Sequence, residues 1–208
     1  MNKNEINFYK KLIKEHKGTS RQIGCSESGQ SKRFLSIISL LENMLGDKTV
    51  NTSILDFGCG KGDLVAYLKQ YNIGAESFYI GIDAMEENIE DAQKFNKEDF
   101  RLLNWTGENN LLQENETVDL ILFSGSFATT EPHIRNKLFS KLLTIANIGV
   151  IGTFLTYNKI VPSYESGCVL TYPEEIFKLI DNSVFATQFK ADYLPHDFTI
   201  GVIKWSAL

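Results

Sequence analysis

The sequence contains few of the residues that build metal centres and disulfide frameworks. Among its 208 residues there are only three cysteines and three histidines. The cysteines form no Cys-x-x-Cys pair, and the histidines lack metal-ligand spacing. An odd number of isolated cysteines indicates free thiols in a reducing compartment. The sequence therefore predicts neither a disulfide framework nor a metal site.

Long apolar runs and low-complexity tracts are absent as well. No segment approaches the roughly 18 apolar residues of a membrane span, and the polar N-terminus lacks the apolar core of a signal peptide. A net charge of −5 argues against binding that relies mainly on nucleic-acid phosphates. These features predict a soluble, cytoplasmic protein of one domain, and they leave its oligomeric state open.

Apolar residues at helical spacing predict two N-terminal helices, at residues 4–17 and about 31–45. The rest of the chain alternates strand-like and helix-like segments. The predicted strands span residues 53–57, 77–82, 100–103, 118–124, 149–156, 184–193 and 198–205. The predicted helices between them span residues 63–70, 85–95, 131–146 and 173–180. We therefore expect a helical cap at residues 1–47 beside a core at residues 50–208.

This alternation predicts an α/β fold in which helices cover both faces of a mostly parallel sheet. The last two predicted strands are joined by only four residues, 194–197. So short a link cannot form a parallel crossover. We therefore expect the last two strands to form an antiparallel hairpin.

Residues 54–64 carry the most information about function. An apolar run ends in Asp56, glycines follow at alternate positions, and Asp63 opens a helix. Glycine permits a tight turn and a close approach of the backbone to a ligand, because it has no Cβ. A second apolar strand then ends in Asp83. Two carboxylates at strand ends, with a glycine loop between them, indicate a nucleoside-binding cleft.

A dinucleotide-binding dehydrogenase would also have glycines after its first strand. Its Gly-x-Gly-x-x-Gly fingerprint, however, needs a third glycine where this chain has Asp63. An acid at a helix N-terminus also competes with a pyrophosphate for that position. The loop therefore favours a phosphate-free cofactor that carries an amino group.

Four features together resemble the class I S-adenosylmethionine-dependent methyltransferases. Residues 56–62 match their first motif, Asp83 matches the acid ending their second strand, residues 118–124 resemble their fourth-strand motif, and the closing hairpin matches their antiparallel seventh strand. The resemblance covers about residues 50–208. It implies a three-layer α/β/α sandwich with strand order 3-2-1-4-5-7-6. It also implies S-adenosylmethionine as the methyl donor and S-adenosylhomocysteine (SAH) as the product.

The resemblance assigns roles at the methionine and ribose parts of the donor. The backbone of Gly58, Cys59 and Gly60 would pass beneath the methionine part. Asp56 would orient this loop or meet the donor's ammonium group. Asp83 would accept hydrogen bonds from both ribose hydroxyls, because a carboxylate is a bidentate acceptor.

Four further residues are expected around the adenine. Ala84 and Met85 would flank the ring, and Trp105 would stack on it or cover it. Asn104 would accept a hydrogen bond from the adenine amino group. The family commonly has an acid at this position, so Asn104 departs from its pattern.

A narrower resemblance extends to a group of small bacterial methyltransferases without an assigned substrate. They carry Gln-x-x-Arg-Phe before the first strand, which begins at Gln30 here, and Ser-Gly-x-Phe after the fourth, which begins at Ser124 here. Gln30 and Arg33 share one helix face and would lean over the cofactor and acceptor as a lid. Ser124 and Gly125 would face both the cofactor and the acceptor.

An oxygen or ammonium acceptor must lose a proton when it is methylated, so a base within hydrogen-bond reach is required. His133, after the fourth-strand loop, and His196, in the closing hairpin, are the candidate catalytic residues. Asp197 is expected to orient the imidazole of His196.

Aromatic residues at or after strand ends are expected to surround the acceptor. They are Phe127, Phe154, Tyr157, Tyr164, Tyr172 and Tyr193, of which Phe127, Tyr157 and Tyr193 are the proposed substrate-binding residues. Residues 158–170 lack periodicity and are expected to form a cap over the acceptor.

The sequence favours a small-molecule acceptor, because it is acidic and carries no base-flipping motif after the fourth strand. Two alternatives stay open. One is a protein, peptide or RNA acceptor, and the other is a protein that binds S-adenosylmethionine without transferring its methyl group.

Overall fold

The structure, a computed structural model, describes residues 1–105, 110–157 and 167–208. A sheet of seven strands forms its centre. The strands are β1 (Ile54–Phe57), β2 (Tyr79–Asp83), β3 (Asp99–Leu102), β4 (Val118–Ser124), β5 (Ala146–Leu155), β6 (Phe185–Lys190) and β7 (Asp197–Lys204).

The strand order is β3-β2-β1-β4-β5-β7-β6, as predicted. The first five strands run parallel to one another, and β7 runs antiparallel to both β5 and β6. The link between β6 and β7 covers residues 191–196, which is too short for a parallel crossover. The predicted α/β sandwich with an antiparallel last strand is confirmed.

Helices lie on both sides of this sheet. They are α1 (Lys3–His16), α2 (Glu27–Leu45), α3 (Asp63–Gln70), α4 (Glu86–Phe95), α5 (Pro132–Ile145) and α6 (Pro173–Phe177). α2 begins earlier than predicted because the Ser26 hydroxyl caps it, accepting a 3.1 Å hydrogen bond from the Gly29 amide. No helix in the described ranges is long and apolar enough to cross a membrane.

The hydrophobic core has one half on each face of the sheet, and β4 contributes side chains to both halves. On one face, Ile37 of α2 and Leu120 of β4 belong to the same buried cluster. On the other, Phe139 of α5 packs edge-on against Phe123 of β4, with ring centroids 6.4 Å apart. Burial of each such side chain contributes about 1.5–3 kcal/mol. This double burial makes the carboxyl ends of the central strands a rigid base for functional side chains.

Candidate functional site

A cavity of about 290 Å³ lies at the carboxyl ends of the central parallel strands. Open α/β sheets bind their ligands at this edge. The cavity brings together most of the residues that the sequence singled out. These are Gln30, Arg33, Asp56, Gly58, Cys59, Gly60, Asp83, Met85, Trp105, Ser124, Gly125 and His196.

The glycine loop after β1 turns sharply beneath this cavity. Its three glycines have φ angles of 74°, 55° and 76°. A Cβ on Gly58 would lie 2.4 Å from Ser126 Oγ, whose hydroxyl donates a 2.6 Å hydrogen bond to the carbonyl of Phe57. The amide of Gly58 donates to the carbonyl of Ile82 at 2.8 Å, which ties the loop to β2. Glycine at position 58 is therefore required by both conformation and space.

The carboxylate of Asp83, at the end of β2, is held by several N–H donors, among them the Ala84 amide. Its Oδ1 accepts hydrogen bonds from the Met85 amide (2.8 Å) and from Asn88 Nδ2 (3.2 Å). Its Oδ2 accepts a hydrogen bond from the Gly60 amide (3.0 Å). Burial raises the pKa of Asp83, and these N–H donors counteract that rise. Of the two oxygens, Oδ2 accepts fewer of the assigned hydrogen bonds, and it faces the glycine loop.

Asp56, at the end of β1's buried run, has a different environment. Its side chain lines the cavity, yet the residue is only 2% exposed. Burial raises the pKa of Asp56 to about 7, and a 2.5 Å hydrogen bond from the Tyr79 hydroxyl opposes this rise. The sequence reasoning missed Tyr79, which lies one residue before the apolar part of β2. An ammonium group in the cavity would favour the ionised form of Asp56.

Two of the four residues expected around an adenine line the cavity, namely Met85 and Trp105. Trp105 packs against Phe57, with ring centroids 4.4 Å apart, and its indole N–H has no acceptor among the described residues. Ala84 instead packs against the hydrophobic core, and Asn104 is exposed, with its side-chain oxygen accepting a hydrogen bond from the Met1 amino group. The structure does not place Ala84 or Asn104 in the cavity wall.

Two side chains of α2 lie in the cavity wall and hydrogen-bond to residues of the α/β core. Gln30 Nε2 donates a 2.9 Å hydrogen bond to Asp63 Oδ2, at the start of α3. Arg33 makes a bidentate pair with Asp197, in which Nε lies 2.5 Å from Oδ2 and Nη2 lies 3.2 Å from Oδ1. The Asp197 side chain is 1% exposed, so this ion pair is largely shielded from water.

The two candidate bases occupy very different places. His133 begins the first turn of α5, has a side chain 75% exposed and lies 3.5 Å from Glu131, outside the cavity wall. His196 precedes β7 and lines the cavity, and its Nδ1 is buried without a partner among the described residues. The hydrogen bond expected between His196 and Asp197 is not formed at Nδ1, and the carboxylate of Asp197 pairs with Arg33 instead.

The aromatic residues expected around an acceptor do not form the wall. Phe127 is 1% exposed and stacks within the core on Phe154, with ring centroids 5.7 Å apart. Tyr157 is 52% exposed, and the hydroxyl of Tyr193 accepts a 2.9 Å hydrogen bond from Thr199. None of Phe127, Tyr157 and Tyr193 lines the cavity. Tyr164 and most of the expected cap, residues 158–166, lie outside the described residues.

The aromatic residues of the wall are instead Phe8 and Tyr9 of α1, Phe34 of α2 and Trp105. Tyr9 shares its helix face with apolar residues, so the sequence pattern could not distinguish a core residue from a cavity residue. No cluster of three or more metal-ligating side chains occurs in the described part of the chain.

Comparisons with known proteins agree with this geometry. A model of a methyltransferase domain family matches residues 54–149, from β1 into β5. No curated protein matches the chain at a significant level.

Solved structures share the fold over nearly the whole chain. Magnesium protoporphyrin IX methyltransferase from Synechocystis PCC 6803 with bound SAH is 14% identical, with a TM-score of 0.64 over 98% of this chain and 95% of that one. The plantazolicin methyltransferase BpumL, in complex with a triazolic desmethylPZN analog and SAH, is 18% identical, with a TM-score of 0.62 over 98% and 92%. A putative rRNA-methylase from Clostridium thermocellum is 17% identical, with a TM-score of 0.57 over 85% and 94%.

Four observations point to the same superfamily. They are the strand order, the antiparallel β7, the glycine loop between two strand-end carboxylates, and the matching domain model. Residues 54–149 therefore match a methyltransferase domain family, and the chain as a whole has the fold of the class I S-adenosylmethionine-dependent methyltransferases.

Proposed function

We propose that the enzyme methylates an oxygen or nitrogen atom of a small molecule. The observation that carries this proposal is one continuous cavity that joins the strand-end carboxylates to the end of β4 and to His196. Its volume of about 290 Å³ is at the lower limit for sites that enclose a small ligand. Arg33 is the one Lys or Arg side chain in the described wall, and Asp197 pairs with it. Such a wall lacks the positive charge that a nucleic-acid backbone requires.

The residues present fit the methyl donor, whose sulfonium supplies an already activated methyl group. The buried carboxylate of Asp56 would meet the ammonium, and Asp83 Oδ2 would meet a ribose hydroxyl. Met85 and Trp105 offer an apolar slot for the adenine. The occupied Oδ1 of Asp83 favours one ribose hydrogen bond over the bidentate pair expected from the sequence.

The protein's contribution to methyl transfer is chiefly positioning and exclusion of water. Phe8 and Tyr9 of α1 would cover the reacting atoms from solvent. We infer that His196 is the base that accepts the proton released by an O–H or N–H acceptor, since it lines the cavity and His133 does not. The bond from the donor's sulfur to the methyl carbon breaks as the bond to the acceptor forms, which leaves SAH.

We also infer that residues 1–47 act as a cap on the core. Gln30 and Arg33 carry this inference, because their hydrogen bonds to Asp63 and Asp197 fasten α2 beside the cavity. The porphyrin and the plantazolicin analog named for two structural neighbours are compatible with a small acceptor.

The proposal is tested by measuring SAH release across matched panels of small molecules, peptides and ribosomal RNA. We expect release with a small molecule carrying an ionisable O–H or N–H. His196→Asn should lower kcat about 100-fold or more, because a lost general base has an effect of this size. His133→Asn is the control and should leave kcat unchanged.

Other outcomes support the alternatives. Release with RNA or peptide alone would overturn the small-molecule acceptor. Tight binding of S-adenosylmethionine with no SAH from any panel would favour a sensing protein. Equal activity of His196→Asn and the unmodified enzyme would remove His196 as the base.

A further inference from the structure

A chain of buried amide groups connects the N-terminal segment to Asp83. The Gly18 amide donates a 2.9 Å hydrogen bond to Gln22 Oε1. Gln22 Nε2 donates to Asn88 Oδ1, also at 2.9 Å, and Asn88 Nδ2 donates to Asp83 Oδ1 at 3.2 Å. Gln22 is 0% exposed and Asn88 is 2% exposed, so water does not replace these bonds. Gln22 lies in the 3-10 turn Ser20–Ile23 between α1 and α2.

The direction of each hydrogen bond in this series is determined by the groups at its two ends, the Gly18 amide and the Asp83 carboxylate. A backbone N–H can only donate, so the atom of Gln22 that faces Gly18 must be its oxygen. An ionised carboxylate can only accept, so the atom of Asn88 that faces Asp83 must be its nitrogen. The two amides are thereby locked in one orientation, in which Gln22 must donate to Asn88.

This arrangement controls the acceptor sites of Asp83. Asn88 and the Met85 amide donate to Oδ1 and the Gly60 amide donates to Oδ2, while the Ala84 amide also hydrogen-bonds to the carboxylate. Oδ2 accepts fewer of the hydrogen bonds assigned to single oxygens and lies beside the glycine loop, so it is the oxygen that would meet a ribose hydroxyl. If Asn88 turned its oxygen toward Asp83, the two acceptors would repel each other and the carboxylate would move.

We propose that Gln22 is a positioning residue for the ribose of the methyl donor, acting through Asn88 on the carboxylate of Asp83. The proposal rests on the proposed placement of the ribose at Asp83. Its consequence is reciprocal: a ribose hydroxyl bound at Oδ2 strengthens the same network that holds the 3-10 turn beside the cavity.

The test compares two ligands, SAH and its 2′,3′-dideoxy form, by calorimetry on the whole protein. The unmodified enzyme should bind SAH at least about tenfold more tightly than the dideoxy form. Gln22→Met removes the donor to Asn88 and should weaken SAH binding about three- to tenfold, while the affinity for the dideoxy form stays within about twofold. If Gln22 had a purely structural role, Gln22→Met would weaken the binding of both ligands equally.

A matched control and a second variant complete the test. Gln93 lies on the same helix as Asn88, and its Nε2 donates a 2.9 Å hydrogen bond to the Phe100 carbonyl. Gln93→Met removes this amide and should change the affinity for neither ligand. Gln22→Glu keeps the size and still accepts from Gly18, but when ionised it cannot donate to Asn88 or to Asp91, whose Oδ2 lies 3.5 Å from Gln22 Nε2. It should therefore lower the preference for SAH even if Gln22→Met folds poorly.

The results separate the two levels of the proposal. If the unmodified enzyme does not prefer SAH over the dideoxy form, the ribose is not at Asp83, and the role of Gln22 is overturned with that placement. If the preference exists and neither Gln22 variant reduces it, the role of Gln22 alone is overturned.

Discussion

The hydroxyl of Tyr79 donates a 2.5 Å hydrogen bond to Oδ2 of Asp56, at the base of the cavity. Burial raises the pKa of Asp56 to about 7, and this hydrogen bond favours the ionised form. In the ligand-free protein the carboxyl is therefore partly protonated near neutral pH. The proposed partner of the donor's ammonium is thus poised to change its charge in the physiological range.

The first prediction concerns the pH dependence of donor binding. Only ionised Asp56 attracts an ammonium, so SAH affinity should fall as the pH drops below about 7, by up to about tenfold per pH unit. Tyr79→Phe removes the hydrogen bond that favours ionisation, and it should move this decline to higher pH. Calorimetric titrations of SAH across the range measure both effects. Tyr71→Phe, at an exposed position, is the control, and an affinity independent of pH would contradict the prediction.

The second prediction concerns the stability of the ligand-free protein. The pKa of Asp56 is raised from an ordinary value of 3.8 to about 7, so between these values the folded protein keeps a proton that the unfolded chain has released. Raising the pH through this range therefore lowers the free energy of unfolding. Asp56→Asn should be more stable than the unmodified protein at about pH 8, with a smaller difference at about pH 4. Urea unfolding of both proteins at these two pH values checks this. A stability difference of the same size at the two pH values would contradict the prediction.

The third prediction concerns the ribose. Asp83→Ala should weaken S-adenosylmethionine binding at least about tenfold, because it removes a hydrogen bond to a charged group and unpairs the Gly60 and Met85 amides. Asp181→Ala is a suitable control, since Asp181 is exposed and accepts hydrogen bonds from Ser183. Unchanged calorimetric affinity of Asp83→Ala would show that the ribose lies elsewhere.

The fourth prediction separates conformational strain from lack of space. Gly18 and Gly58 both have positive φ, but a Cβ on Gly18 would meet no atom within 4 Å. Gly18→Ala should therefore cost about 1 kcal/mol of stability from strain. Gly58→Ala should cost more and should also abolish donor binding, because its Cβ would collide with Ser126 Oγ and displace the loop. Thermal unfolding and SAH titration of the two variants make the comparison, and equal costs would contradict it.

Local patterns were sufficient to predict much of the fold. The bounds of β4 and α3 agree with those expected, because a mostly apolar run forms the strand and Gly62 precedes the first turn of the helix. Aromatic character was a poorer guide to the site. Phe127 follows β4 as a pocket residue would, but its ring turns into the aromatic core instead.

The sequence by itself determined the α/β class and the antiparallel last strand, because alternating segments and a four-residue link are local features. The strand order and the methyl donor were implied only by the resemblance of the motifs to a known superfamily. Only the tertiary structure decided which side chains meet at the cavity. Arg33 pairs with Asp197 across 164 positions, and Gln22 reaches Asn88 across 66. These contacts depend on how α1, α2 and the turn between them fold over the strand ends. That path is determined by packing and burial throughout the molecule, which no local pattern records.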